Sequence, residues 1–231
     1  MKKELYTTVF CQAFSACGGY LAAGDGFGNI ACYDVKKIVE LSANEESLRE
    51  FRRPELRFST GEAPVYALVC DESHLIAGTS GLIQRPAADS ESLSQPEVNS
   101  LELHDNRLYV GSGNHDVQVI DLETRIKVAS LRGHSDYIHV VRVRQLITHS
   151  RAISASARPE DGSVRFWDTR QNKEVSKVEP HTHSDLERGM GKWIGALDVT
   201  DDWMPWLHEA RFHDGLVLAG GDRGRTCTSS H

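Results

Sequence analysis

The chain has 231 residues, with 26 lysines and arginines against 33 aspartates and glutamates, so its formal net charge is -7. This balance argues against sequence-independent binding of nucleic acid, which needs clustered positive charge. The longest apolar stretches fall far short of the roughly 20 residues that cross a bilayer. We expect no signal peptide, because Thr7 and Thr8 break the apolar segment that follows Lys2 and Lys3. Five irregularly spaced cysteines indicate a reducing compartment and not a disulfide framework.

A short apolar run that closes on small residues recurs along the chain. It is found at residues 21–24, 75–78, 108–111, 153–155 and 218–220. The first four of these steps are on average about 44 residues apart, which matches the ~40–45 residues of a four-stranded propeller blade. A polar turn and an alternating strand follow three of the steps, and these strands end at Asp34, Asp121 and Asp168. The pattern of strand, tight turn and strand predicts an all-β propeller.

The predicted blades are separated by polar connections. The first, residues 36–57, is charged, and the second, residues 85–95, is rich in Ser, Ala and Pro. The third, residues 179–191, is polar and contains histidines. We interpret all three as solvated loops. For 36–57, a turn or two of helix is the less favoured alternative. We therefore expect one propeller domain over 1–231, with blades near 5–35, 58–84, 96–124 and 131–178 and a composite or truncated blade at 190–231.

The fourth unit, residues 133–168, opens with Gly-His and ends with Trp-Asp. In this it resembles a WD40 repeat. The resemblance implies a hydrogen-bonded chain of side chains that ties the outer strand to the inner three, and a satisfied network of this kind stabilises a blade cooperatively. By position, these roles fall to His134, Ser154 or Ser156, Asp161 and Trp167. We assign these residues a structural role and not a catalytic one.

Several longer passages resemble the THO complex subunit 6 family, WD40 propellers of the nuclear mRNA-export assembly. The passages are residues 14–24, 63–68, 122–139, 168–175, 192–197 and 202–204, in the order in which the family has them. The resemblance implies a non-enzymatic scaffold in the nucleus, acting in mRNA processing and export. It also implies other subunits of the THO and transcription-export (TREX) complex as partners, with RNA contacted mainly through them.

The resemblance changes after Met204. The segment that begins at Pro205 interrupts the expected strand, and residues 211–220 are similar to the first half of a later blade. We interpret this as a junction at which the family sequence is shortened. The family implies seven blades, whereas this chain carries four recognisable units and a composite fifth, so the propeller is expected to be incomplete.

Two local patterns are candidate partner contacts. A Trp-Asp-x-Arg ending, with Asp168 and Arg170 as its polar residues, is also typical of propellers that act as substrate receptors on a cullin-based ubiquitin ligase adaptor, with the arginine projecting into the adaptor. The second pattern is the basic cluster of Arg142, Arg144 and Arg151. It could contact RNA or an acidic partner, although outward charges on a strand are the favoured interpretation.

Other motifs argue against an enzyme. Residues 24–28 resemble a glycine-rich phosphate loop, but an alternating strand follows them, which favours a hairpin turn. His181 and His183 could bind a metal, yet a solvated loop is favoured because no further ligand pattern surrounds them. Nucleophile elbows, P-loops and zinc-hydrolase helices are absent from the sequence. We therefore expect no catalysis, no cofactor and no metal.

Overall fold

A computed structural model describes most of the chain up to residue 199 and short stretches after it. The described residues are 8–39, 53–61, 63–80, 82–84, 93–94, 97–145, 150–156, 162–179, 182, 194, 196–199, 216–219 and 226–227. Within them, regular structure consists of nineteen β-strands and one short helix, α1 (Val35–Val39). The prediction of an all-β fold is therefore confirmed. The junction predicted near Met204 lies outside the described residues.

The chain divides into two compact units, Met1–Leu101 and Glu102–His231. The first unit holds two antiparallel four-stranded sheets, each with its strands in chain order. The first sheet consists of β1 (Val9–Phe14), β2 (Tyr20–Asp25), β3 (Asn29–Asp34) and β4 (Leu56–Ser59). The second sheet consists of β5 (Val65–Cys70), β6 (Leu75–Thr79), β7 (Leu82–Gln84) and β8 (Leu93–Ser94).

Three further sheets follow along the chain. The third consists of β9 (Val98–His104), β10 (Arg107–Ser112), β11 (Val117–Asp121) and β12 (Lys127–Leu131). The fourth consists of β13 (Ile138–Gln145), β14 (Ser150–Ser156), β15 (Val164–Asp168) and β16 (Lys173–Val178). The fifth has three strands, β17 (Ala196–Val199), β18 (Leu216–Ala219) and β19 (Thr226–Cys227).

The glycines of the first three repeated steps make room for the strand that starts the next sheet. A Cβ atom placed on Gly24 of β2 would lie 2.7 Å from Cγ1 of Val65 in β5, and one on Gly78 of β6 would lie 2.9 Å from Cβ of Val98 in β9. On Gly111 of β10 it would lie 2.8 Å from Cγ2 of Ile138 in β13. Such distances are too short for a side chain, so only glycine permits this close approach. The repeated glycines of the sequence are therefore the positions at which one sheet packs closely against the first strand of the next.

The turn between β2 and β3 is a hairpin, as the sequence predicts. The Asp25 carboxylate accepts hydrogen bonds from the backbone N–H groups of Phe27 and Asn29, at 2.8 and 2.9 Å. Gly28 has a φ of +79°, a conformation in which a side chain would be strained. The strands on either side are antiparallel, with Ala22 opposite Cys32. A hairpin of this kind lacks the helix that a dinucleotide-binding loop needs.

The outer strands lie where the sequence pattern is weakest. Strand β4 begins at Leu56, inside the segment 36–57 that we interpreted as a loop, and it pairs with β3 through Cys32 and Leu56. Helix α1 occupies the start of that segment, so the less favoured helical alternative holds there. Strand β8 likewise falls within residues 85–95. A long insertion separates an outer strand from its partner, so local periodicity does not show that the two pair.

Each unit has its own hydrophobic core. In the first unit the core comprises Ala22, Ile30, Cys32, Val65, Leu68 and Ala77. In the second it comprises Tyr109, Val117, Val119, Leu131, Ile138, Val141 and Trp167. Trp167, one of the predicted network residues, is thus a core residue of the fourth sheet. Helix α1, the one α-helix in the part of the chain that the structure describes, is far too short to span a bilayer.

Candidate functional site

His134 and Trp167, the first and last residues of the predicted network, lie next to each other. His134 is in the connection from β12 to β13 and is 7% exposed, while Trp167 in β15 is 1% exposed. Their ring centroids are 5.7 Å apart, with the planes tilted by 54°. Burial beside a core tryptophan leaves this histidine little access to a substrate. The contact suits a structural role in joining the loop to the sheet.

The middle of the network lies outside the described part of the structure. Asp161 and the side chain of Ser154 are not described, so their hydrogen bonds stay predictions. In the register, Ser154 is opposite Arg165 and Ala152 is opposite Trp167. The indole Nε1 of Trp167 is buried and lacks a hydrogen-bond partner in the structure as described. An unsatisfied buried donor costs free energy, so this nitrogen is where the predicted serine acceptor would act.

A second, partly buried polar contact lies beside the same loop. The Arg165 guanidinium donates to the Glu174 carboxylate, with Nη1 2.7 Å from Oε2, and the two side chains are 13% and 33% exposed. Gly133 has a φ of +154°, and a Cβ atom on it would lie 2.6 Å from that carboxylate oxygen. The ion pair joins β15 to β16 beneath the loop of His134. Sequence reasoning missed it, because the two residues are not directly opposite: Arg165 faces Lys177 in the register.

Arg170 folds back onto Asp168 in the turn after β15. The Asp168 carboxylate accepts hydrogen bonds from Nη2 of Arg170 at 2.9 Å, from Nε at 3.2 Å and from its backbone N–H at 2.9 Å. These hydrogen bonds and the negative charge of Asp168 raise the pKa of Arg170. The arginine side chain is 58% exposed, so a partner could reach it. Two of its guanidinium N–H groups are, however, already bound to Asp168 within the blade.

In three of the five sheets, an aspartate at the end of the third strand closes the following turn. Asp34 accepts a hydrogen bond from the backbone N–H of Lys37 at 3.2 Å. Asp121 accepts bonds from the N–H groups of Glu123 and Thr124, at 3.1 and 2.8 Å. Asp168 does the same for its own turn, as described above. An aspartate side chain that bonds the backbone a few residues on stabilises a turn, which explains the repeated aspartate in the sequence.

The basic cluster lies on adjacent strands of the fourth sheet. Nη1 of Arg142 in β13 lies 3.0 Å from the Val141 carbonyl oxygen and 3.5 Å from Oε2 of Glu102. Arg144 of β13 is directly opposite Arg151 of β14. The side chains of these two arginines lie outside the description. Arg142 therefore has partners within its own unit, whereas the backbone places Arg144 and Arg151 side by side.

The remaining candidate residues are two histidines and a cysteine. His181 and His183 lie outside the described residues. Among the residues described, no three metal-ligating side chains come together. Cys70 is half-buried, and burial raises the pKa of its thiol, so the thiol is neutral near pH 7.

Comparison with known sequences gives a consistent group of relatives. No protein-family model matches the chain. It is 34% identical over 220 residues to THO complex subunit 6 homolog of Danio rerio, a match that covers 87% of this chain and 65% of the relative. It is 34% identical over 222 residues to THO complex subunit 6 of Homo sapiens, with coverages of 87% and 62%. The Drosophila melanogaster protein of that name is 31% identical over 225 residues. The chain thus spans less than two thirds of the length of these relatives.

Solved structures show the fold. A chain in the crystal structure of a mitotic checkpoint complex superposes with a TM-score of 0.70 and 18% identity, covering 96% of this chain and 60% of that one. The computationally designed Ika8 protein superposes with a TM-score of 0.60 and 17% identity, covering 90% of this chain and 54% of that one. The first of these is a WD40 propeller. The prediction of a WD40 β-propeller fold is therefore confirmed.

Proposed function

Because the chain belongs to the family of THO complex subunit 6 proteins, we propose that it is a non-enzymatic WD40 scaffold subunit of a THO complex. It acts in the nucleus, in mRNA processing and export, by contacts with other proteins. The observation that carries this proposal is the 34% identity over 87% of the chain to proteins named as that subunit.

The chemistry of the best-formed repeat supports a scaffold. The side chains that would first be considered for catalysis are used within the sheet: His134 is buried against Trp167, and Asp168 binds Arg170. A histidine and a carboxylate occupied in this way do not form an acid and base pair. What the sheet leaves accessible are turns and its outer strand, β16, and such surfaces suit protein binding better than reaction.

The proposed partners are the other subunits of the THO and TREX assemblies, with RNA bound mainly through them. The formal net charge of -7 supports this division, because a polyanion such as RNA is repelled by an acidic protein unless positive charge is concentrated locally. A protein surface carries no such penalty.

We also propose that the five sheets are successive blades of one propeller. The first four sheets have the four strands of a blade, and the fifth, which has three, is the composite or truncated blade. The close contacts of Gly24 with Val65 and of Gly111 with Ile138 support this, since each connects the second strand of a sheet to the first strand of the next. In the fourth blade, the proposed stabilising network is His134, Ser154, Asp161 and Trp167.

The test is affinity purification of the tagged 231-residue chain from nuclear extract, with the bound proteins identified by mass spectrometry. The human relative serves as the positive control, and an unrelated WD40 protein of similar size as the negative control. We expect the other THO subunits to be recovered with this chain and with the human protein. If the human protein recovers the THO subunits and this chain does not, although circular dichroism shows that this chain is folded, the scaffold role is disproved for this chain.

A further inference from the structure

One row of the fourth sheet brings charged residues from all four strands together. The register places Arg144 of β13 opposite Arg151 of β14, and Arg151 opposite Asp168 of β15. Asp168 is in turn opposite Lys173 of β16. Arg170 lies in the turn that joins β15 to β16. We call Arg144, Arg151, Arg170 and Lys173 the basic edge.

The basic edge is a local excess of positive charge on an acidic protein. The row and the turn beside it hold four cationic residues and one acidic residue, Asp168, although the chain as a whole has a formal net charge of -7. Lys173 is exposed, and the side chain of Arg170 is 58% exposed. The row lies at the sheet end that carries the β13–β14 connection and the turn after β15. A partner could approach this end of the sheet from solvent.

We propose that the basic edge binds a short acidic segment of another protein. Four neighbouring strands span about 14 Å across a sheet, a length that about four or five residues of an extended peptide match. Three of the four cations are arginines, whose planar guanidinium donates two parallel hydrogen bonds to a carboxylate. The Asp168–Arg170 pair shows the geometry expected for a bound carboxylate, because there a carboxylate already accepts hydrogen bonds from Nε and Nη2 of an arginine of the basic edge.

A peptide fits these charges better than RNA. Affinity for a nucleic acid backbone grows with the number of phosphates that are neutralised, and four cations with a carboxylate among them neutralise few. A longer polyanion would also extend past the basic edge onto an acidic protein and be repelled. A segment with three or four carboxylates avoids both penalties. This proposal does not depend on the scaffold role, since it rests on the fourth sheet alone.

The test is fluorescence anisotropy with the full 231-residue chain and a labelled eight-residue peptide of alternating glutamate and serine. A peptide of alternating glutamine and serine is the neutral control, and a labelled eight-nucleotide oligouridylate is the RNA probe. The loss variant combines Arg144→Gln, Arg151→Gln and Lys173→Gln. The matched control neutralises three exposed cations elsewhere, by Lys36→Gln, Lys127→Gln and Arg132→Gln. Circular dichroism and thermal unfolding establish that all variants are folded.

We expect the acidic peptide to bind and the neutral one not to bind, with affinity that falls as salt is raised. The loss variant should bind about tenfold more weakly, while the control changes by less than about twofold. Asp168→Asn should bind the acidic peptide more tightly, because it removes the one negative charge of the row and keeps an oxygen that accepts the turn hydrogen bond. The proposal is wrong if the acidic peptide does not bind, or if the matched control variant loses as much affinity as the loss variant. It is also wrong if the loss variant weakens binding of the oligouridylate but not of the acidic peptide.

Discussion

Gly24 and Val65 approach so closely that a Cβ atom on the glycine would stand 2.7 Å from Cγ1 of the valine. The glycine belongs to the second strand of the first sheet, and the valine, fully buried, to the first strand of the second. The two sheets therefore pack backbone against side chain at this point. A residue with any side chain would hold them apart.

Replacing Gly24 by alanine should destabilise the protein by about 1–3 kcal/mol, the usual cost of adding a methyl group to a filled core. The measurement is the free energy of unfolding in urea. Gly26→Ala is the matched control: its nearest neighbour is a ring carbon of Phe10 at 3.2 Å, and that ring is half exposed and can move. Equal losses in both variants would mean that the contact with Val65 is not the cause. The double variant with Val65→Ala should lose less than the sum of the two single losses.

The predicted network can be tested at its two serines. If Ser154 accepts the hydrogen bond of the buried Trp167 indole, Ser154→Ala should cost about 1–3 kcal/mol, because the donor is left unsatisfied. Ser156→Ala should then change stability little. Tryptophan fluorescence during urea unfolding reports both the free energy and the environment of the indole. A larger loss of stability in Ser156→Ala than in Ser154→Ala would assign the role to Ser156. Small losses of stability in both variants would show that neither serine accepts the indole hydrogen bond.

Arg170→Ala tests the ubiquitin-ligase alternative. The arginine is exposed and binds Asp168 in its own turn, so its removal should leave the melting temperature almost unchanged. For a scaffold subunit, we expect the variant and the parent to capture the same THO subunits, whereas a partner bound through the basic edge is captured more weakly by the variant. Capture of a cullin adaptor by the parent chain, lost in the folded variant, would instead establish the receptor role.

Asp121 should make stability depend on pH in acid. Its hydrogen bonds from the Thr124 backbone N–H and hydroxyl, and from the Glu123 N–H, lower its pKa in the folded state. The contribution is therefore fully present above the unfolded pKa of about 3.9 and is lost as the pH falls through the lower folded value. Asp121→Asn retains an acceptor oxygen but cannot titrate. Between pH 5 and pH 2, the urea midpoint should thus fall less steeply in the variant, and parallel curves would contradict the assignment.

The cysteines should differ in reactivity. Cys17 is exposed, and hydrogen bonds from Ser15 and from the Gly19 N–H lower its pKa, whereas burial raises the pKa of Cys11 to about 11. The thiolate is the reactive form, so brief treatment with iodoacetamide at pH 7.5 should label Cys17 well before Cys11. Peptide mapping by mass spectrometry measures the order of labelling. Ser15→Ala should slow the labelling of Cys17, and faster labelling of Cys11 would show that the buried thiol is more accessible than its contacts imply.

The sequence predicts those parts of the fold that are specified locally. The small-residue step at Gly24 and Gly111 and the aspartate at Asp121 recur because several sheets share the same close approach and the same turn. Strand β4 could not be predicted in this way, since the residues between Asp34 and Leu56 remove any local sign of pairing. The Arg165–Glu174 ion pair was also missed, because it depends on a diagonal contact between strands that only the three-dimensional register reveals.

The glycine contacts also determine which sheets a destabilising substitution affects directly. Gly24 couples the first sheet to the second, and Gly111 couples the third sheet to the fourth. Stability built from such nearest-neighbour couplings resembles that of a repeat array, in which each module depends on the modules beside it. A substitution at one of these glycines therefore weakens directly the contact between the two sheets that the glycine joins.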